Sequence, residues 1–170
     1  NLEATFALMT ARKFGFDAHA NGYLFAYIGV LITIVQGGLT GRLARRFGER
    51  RLISAGLFCM IFGMGLLPYS PGLKSLLLVL VVLVGGHGST NPSISSLISQ
   101  SAGSEDQGSI LGVAQSLASL ARILGPICGG FTFDALGFQY PYLTGGLFMA
   151  VAFSLSLLAA KGKLHVPKPA

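Results

Sequence analysis

Six polar side chains with acid–base or hydrogen-bonding capacity interrupt the long apolar segments of this sequence. They are Glu3, Gln36, His87, Asn91, Gln115 and Arg122. A carboxyl group and an imidazole can each gain and lose a proton, so Glu3 and His87 are candidates for carrying protons. The amides and the guanidinium can hold a small molecule through hydrogen bonds or charge. His87 and Asn91 are four residues apart, which places them on one face of a helix.

The composition indicates that the elements holding these residues are membrane helices. The chain is 52% hydrophobic with a mean hydropathy of +0.67, and 11% of its residues are charged. A soluble domain carries about 25% charged residues. The net charge of +6 comes mostly from a few short basic stretches, so it does not indicate nucleic-acid binding. We therefore predict an all-α integral membrane protein.

Apolar runs of about 20 residues, the length that crosses a bilayer, recur along the chain. They predict five full spans and part of another, at about 1–11 (partial), 22–40, 52–68, 76–99, 109–133 and 143–160. The first segment resembles the second half of a membrane helix, so we expect a chain whose N-terminal part is missing. The spans at 52–68 and 143–160 carry almost no polar side chains, which predicts a peripheral or lipid-facing position.

Four of the six polar residues, on four different helices, are predicted to lie near the middle of the membrane. At about 1.5 Å per residue, Glu3 lies roughly 14 Å, and His87 and Arg122 roughly 17 Å, from the outer ends of their helices. Gln36 lies roughly 21 Å from the start of its span. Because the hydrocarbon core is about 30 Å thick, these depths indicate a binding site at the midplane. The alternatives are a structural hydrogen bond for Gln36, a packed neutral imidazole for His87 and a structural ion pair for Arg122 or Glu3.

Basic residues are distributed unequally between the two sides of the membrane. Five arginines occur at 42–51, which we predict to be a loop between two spans. With the basic C-terminal tail they give one side eight Lys and Arg residues, against three on the other side. Lys and Arg accumulate on the cytoplasmic side. We therefore expect the arginines and the C-terminus to be cytoplasmic, in a plasma or inner membrane.

The segment GRLARRFGERR, residues 41–51, resembles motif A of the major facilitator superfamily. Gly41, Arg46, Gly48, Arg50 and Arg51 match that motif, and Arg45 stands where the motif has an acid. In the family, loss of the acid is usual in the second copy of the motif, between helices eight and nine. The resemblance therefore implies that this segment lies in the second half of a transporter.

Other segments resemble the same family in the same order. LARILGPICGG, residues 120–130, resembles the eleventh helix of drug:proton antiporters. NLEATFAL and YIGVLITIVQGG resemble helices seven and eight of the tetracycline-resistance-like branch. Together they cover the chain and imply the C-terminal half, helices seven (partial) to twelve, with the N-terminal half missing.

The implied function is proton-coupled efflux of drugs or small organic molecules by alternating access. The resemblance implies no enzymatic reaction, no cofactor and no metal. The implied partners are a small-molecule substrate, protons, the lipid bilayer and the missing N-terminal half, with no nucleic acid. Two alternatives stay open: a facilitator or importer of a sugar or organic acid, and a non-transporting membrane scaffold.

Two groups of residues are expected to serve conformational change. Glu105 and Asp106 are predicted partners of Arg46, Arg50 or Arg51 in a cytoplasmic gate; alternatively, the arginines only fix the topology and bind anionic lipid headgroups. A second group of small residues and a proline would bend the eleventh helix and allow close packing. It comprises Gly125, Pro126, Gly129 and Gly130, with further glycine pairs at Gly37 and Gly41 and at Gly108 and Gly112. Ordinary tight helix packing is the alternative.

Overall fold

The computed structural model describes residues 2–101 and 106–160, with side chains for residues 5–100 and 106–159. These ranges contain helices and short connections, and no strand. Their seven α-helices are α1 (Leu2–Phe14), α2 (Ala18–Ile34), α3 (Thr40–Phe47), α4 (Glu49–Leu66), α5 (Leu73–Ser101), α6 (Gln107–Leu136) and α7 (Tyr140–Ala160). A π-helical turn, Val35–Leu39, joins α2 to α3, and a 3₁₀ turn, Leu67–Tyr69, follows α4.

Five continuous helical segments in the described ranges are long and apolar enough to cross a membrane. They are Ala18–Phe47, Glu49–Tyr69, Leu73–Gln100, Gln107–Leu136 and Tyr140–Ala159. The prediction of an all-α membrane fold is confirmed. Each segment is longer than the apolar run that predicted it, because polar and basic residues at the ends continue the helix.

The junction of α3 and α4 is a single residue. We expected a loop across the arginines of 42–51, but the structure is helical there except at Gly48. Gly48 has φ of 82°, a conformation that a residue with a Cβ rarely adopts, so it ends α3. Arg45 and Arg46 lie in the last turn of α3, where cations are favoured, and arginine itself is a good helix former.

Helix α4 is the centre of this bundle, since it packs against both α5 and α7. On the α5 side, a Cβ added to Gly86 would lie 2.5 Å from the carbonyl oxygen of Gly56, so the two backbones are in direct contact. On the α7 side, the hydroxyl oxygens of Ser54 and Ser156 are 3.0 Å apart. Half of the apolar window of α4 is buried, the largest share among the five spans. Small residues bury one face of α4 against its neighbours, while Phe58, Phe62 and Leu66 on the helix are about half exposed, so the predicted peripheral or lipid-facing position remains a prediction.

At the end of the bundle away from the α3–α4 junction, two cations at the end of α1 contact neighbouring elements. The guanidinium of Arg12 lies 5.0 Å from the centre of the Phe133 ring on α6. Lys13 Nζ donates a hydrogen bond of 2.5 Å to the carbonyl oxygen of Pro68. These contacts connect α1 to α6 and to the turn after α4.

Helix α6 is the least covered of the five spans. Only Gly129 and Phe133 are buried along it in the described part of the chain. Its most exposed large apolar side chains are Val113, Leu117, Ile123, Ile127 and Phe131. The other described helices therefore leave most of the surface of α6 open.

Candidate functional site

The π-helical turn after α2 places Gln36 beside α5. The Thr40 N–H donates to the carbonyl oxygen of Val35, five residues back, which defines the wider turn. Val35 is buried against Gly88: a Cβ at position 88 would lie 2.9 Å from Val35 Cγ1 and 3.8 Å from Gln36 Cγ. Turns of this type inside helices are frequent at functional sites. The contact aligns Gln36 with the polar stretch of α5 that begins at His87.

On α5, His87 and Asn91 form a hydrogen-bonded pair. Asn91 Nδ2 and His87 Nε2 are 3.2 Å apart, and both side chains are exposed on the bundle surface. A neutral imidazole can accept a hydrogen bond from the Asn91 amide through Nε2. A protonated imidazole donates from both nitrogens, so Asn91 would have to present its Oδ1 instead.

The structure brings three of the six predicted residues together: Gln36 lies against Gly88, the chain neighbour of His87, and Asn91 is one turn further along α5. The contact between Val35 and Gly88 that aligns them was not predicted. Gly88 was the available signal, because glycine permits close helix approach.

Gln115 and Arg122 lie apart from this group. Both are exposed on α6, Arg122 near the middle of the helix. Among the side chains described, at residues 5–100 and 106–159, no hydrogen bond connects Gln115 or Arg122 to Gln36 or Asn91. Glu3 belongs to the first turn of α1, and its side chain lies outside the described residues. These three residues remain predicted parts of the site.

At the α3–α4 junction, which we call the arginine end of the bundle, an acid that was not part of the predicted gate connects two helices. Glu49, the first residue of α4, accepts a hydrogen bond from the Ser96 hydroxyl. Its other carboxylate oxygen accepts a hydrogen bond of 3.0 Å from Gln100 Nε2. Ser96 and Gln100 lie one turn apart on α5, so Glu49 joins the start of α4 to the end of α5. A single acid directly after the helix-breaking Gly48 was the signal for this role.

The predicted gate residues are placed as follows. Arg45, Arg46, Arg50 and Arg51 are exposed, and Arg46 lies 5.5 Å from the ring of Phe47. Asp106 is exposed directly before α6 and, in the described part of the chain, pairs with none of these arginines. Glu105 lies outside the described residues.

The predicted packing glycines differ in their surroundings. Gly129 is buried, and α6 continues as a helix through Pro126. Gly125 is partly buried. A Cβ added to the other glycines would meet no atom within 4 Å in the described structure; these are Gly37, Gly41, Gly108, Gly112 and Gly130. These five therefore mediate no close helix contact in this bundle, whereas Gly56, Gly86 and Gly88 do.

Sequence comparison assigns the chain to a family. A model of the Major Facilitator Superfamily matches residues 2–170. Multidrug resistance protein 2 of Bacillus subtilis (strain 168) is 30% identical over 159 residues, which are 92% of this chain and 38% of that protein. Multidrug resistance protein 1 of the same organism is 30% identical over 166 residues, covering 98% and 42%. The class D tetracycline resistance protein of Salmonella ordonez is 31% identical over 127 residues, covering 75% and 32%.

Structural comparison gives the same fold. The crystal structure of the human organic anion transporter MFSD10 (TETRAN) matches with a TM-score of 0.85 over 91% of this chain and 36% of that chain, at 24% identity. The chain spans about two fifths of the length of the B. subtilis relatives that it matches. The family match and the five apolar helices together identify a multi-pass membrane protein. The chain belongs to the Major Facilitator Superfamily.

Proposed function

We propose that this chain is the C-terminal half of a secondary active transporter that exports drugs or other small organic molecules by alternating access, driven by protons. The observation that carries the proposal is the grouping of Gln36, His87 and Asn91 where the π-helical turn meets α5. Polar groups at this depth in apolar spans are costly unless they face a cavity or a ligand. The amides would hold substrate, and the imidazole would exchange a proton.

The names of the relatives support the choice of substrate class. Two are called multidrug resistance proteins and one a tetracycline resistance protein, and the structural relative is called an organic anion transporter. In the proposed mechanism the substrate crosses the membrane without a covalent change, so the protein is not an enzyme.

The open surface of α6 would form the second wall of the substrate pathway. Gln115 and Arg122 would face the N-terminal half across a central cavity, with Glu3 contributed by α1. An arginine near the middle of a membrane helix is too far from either surface to reach it easily, so it belongs beside a cavity or an acid. Gly125, Pro126, Gly129 and Gly130 would let this helix bend as the halves rock.

The arginine end would carry the cytoplasmic gate. Arg45, Arg46, Arg50 and Arg51 would pair with Glu105 and Asp106 in one state of the transport cycle and release them in the other. Exposed ion pairs contribute less than about 1 kcal/mol each. A network of several pairs is nonetheless enough to bias two states that differ by a few kcal/mol.

Flux measurements on the full-length protein in proteoliposomes test the proposal. A fluorescent cationic dye and tetracycline are the substrates, with a pH gradient imposed across the membrane. We expect dye and drug to move only with the gradient and to stop when a protonophore collapses it. Gradient-independent flux of a sugar or organic acid would identify a facilitator instead. Absence of flux with every compound would favour a scaffold.

A further inference from the structure

The junction of α3 and α4 carries the densest positive charge in the described part of the chain. We call Arg42, Arg45, Arg46, Arg50 and Arg51 the arginine cluster. All five side chains are exposed. Glu49 is the one acid among them, so five positive charges and one negative charge leave this ten-residue segment with a net charge of +4.

The charges of the arginine cluster are not neutralised by the rest of the described structure. Across residues 2–101 and 106–160, none of the five guanidinium groups forms an ion pair. The nearest acid, Glu49, is already hydrogen-bonded to Ser96 and Gln100 of α5. The cluster can therefore bind an anion from outside the bundle.

A cavity lies directly at this junction. Its volume is about 450 Å³, and its lining includes Phe47, Glu49, Arg50, Arg51, Leu97 and Gln100. The cavity is shallow and largely open to the surroundings, and Arg50 and Arg51 are among the residues that line it. Guanidinium groups bind phosphate oxygens through paired, charge-assisted hydrogen bonds, which suits a phosphate group at this opening.

The position of the cavity in the membrane identifies the source of that phosphate. One membrane-crossing segment ends at Phe47 and the next begins at Glu49, so the junction lies at the bilayer surface, at the level of lipid headgroups. Two large apolar side chains on the same stretch are about half exposed: Leu39 is 46% exposed and Phe47 is 48% exposed. A lipid at the cavity would therefore have both a cationic site for its headgroup and apolar side chains for its acyl chains.

We propose that the arginine cluster binds the phosphate headgroup of an anionic phospholipid, with Arg50 and Arg51 at the cavity as its main contacts. The acyl chains lie along Leu39 and Phe47. This binding does not depend on the proposed transport activity, because it needs only the family's membrane fold and the charges described above. A bound lipid would also compete with Asp106 for the same arginines.

Lipid titration of the purified full-length protein in detergent, followed by native mass spectrometry, tests the proposal. Phosphatidylglycerol is the probe, and phosphatidylcholine is the zwitterionic comparison. We expect tighter binding of phosphatidylglycerol, weakened by salt. Each basic residue near an anionic lipid surface contributes about fivefold in affinity, so the double variant Arg50→Gln, Arg51→Gln should bind phosphatidylglycerol about 25-fold more weakly. The control Arg12→Gln, Lys74→Gln removes two charges at the opposite end and should bind as the parent does.

A third variant tests whether the glutamine variant loses binding through lost charge or through misfolding. Arg50→Lys, Arg51→Lys keeps both charges and should bind phosphatidylglycerol more tightly than the glutamine variant. The proposal fails if the lysine and glutamine variants bind equally weakly, or if both lipids bind equally well to the parent. It also fails if the control loses as much affinity as the glutamine variant. Displacement of the lipid by an equal concentration of inorganic phosphate would show a free-anion site instead.

Discussion

The amide nitrogen of Gln100, near the end of α5, lies 3.0 Å from a carboxylate oxygen of Glu49, the first residue of α4. Ser96, one turn earlier on α5, donates to the other oxygen of the same carboxylate. Glu49, two residues before Arg51, thus connects α4 to α5 through hydrogen bonds at the arginine end.

Replacing Glu49 with Ala should destabilise the bundle. The substitution leaves the Ser96 hydroxyl and the Gln100 amide without their acceptor and removes an acid from a helix N-terminus. We expect a loss of about 1–2 kcal/mol in the free energy of unfolding. Thermal unfolding in detergent measures it. The control is Asp106→Ala, since Asp106 is an exposed acid that accepts no capping hydrogen bond. Equal melting temperatures for the parent and Glu49→Ala would contradict the assigned role.

Adjacent glycines of α5 should respond oppositely to alanine. At Gly86 a Cβ would lie 2.5 Å from the Gly56 carbonyl oxygen, and backbone cannot move aside easily. We expect Gly86→Ala to cost about 1–3 kcal/mol by overpacking. At Gly85 a Cβ meets nothing within 4 Å, so Gly85→Ala should be neutral or stabilising by up to about 1 kcal/mol. Parallel melting curves of the two variants decide; the same shift in both would refute the close contact between α4 and α5.

His87 should determine the pH dependence of transport. Glutamine at position 87 can still hydrogen-bond to Asn91 but cannot gain a proton. We expect His87→Gln to transport severalfold more slowly under a proton gradient and to lose most of the pH dependence of the rate between pH 5 and 8. The matched control is His19→Gln, since His19 is exposed near the start of α2. An unchanged pH profile for His87→Gln would exclude His87 from proton coupling.

Neutralising Glu3 or Arg122 should impair transport while leaving membrane insertion intact. Both are predicted to line the pathway at mid-membrane depth, where a charge is retained for function. Glu3→Gln and Arg122→Gln are compared with the parent by flux in proteoliposomes and by the amount of protein in the membrane fraction. Normal transport by both variants would remove these residues from the site.

The helix content and membrane character were predictable from the sequence because apolar runs of bilayer length leave few alternative structures. The family was predictable because 41–51 and 120–130 carry distinctive patterns of glycine, arginine and proline. The extent of the helices was less predictable. Arg45 and Arg46 were assigned to a loop by their charge, although arginine continues a helix as readily as most apolar residues.

The details of the site depended on contacts between segments distant in the sequence. Nothing local to Val35, the first residue of the π-helical turn, shows that Gly88 will lie against it, 53 residues later. Likewise, the sequence around Glu49 shows only one acid in a basic stretch. Its role depends on Ser96 and Gln100, which α5 places beside it. The buried face of α4 was not predicted either, because an apolar helix with glycines can pack against protein as readily as against lipid.

The exposed guanidinium of Arg122 has a consequence for biogenesis. When α6 enters the bilayer during synthesis, a central arginine raises the insertion free energy by about 2.5–3.5 kcal/mol. By composition, α6 is also the least hydropathic of the five spans. The described helices that precede α6 in this chain offer Arg122 no acid to pair with. Because a charge in the bilayer needs a polar neighbour, we expect α6 to be less stable in the membrane in this bundle alone than beside the half of the transporter that faces it.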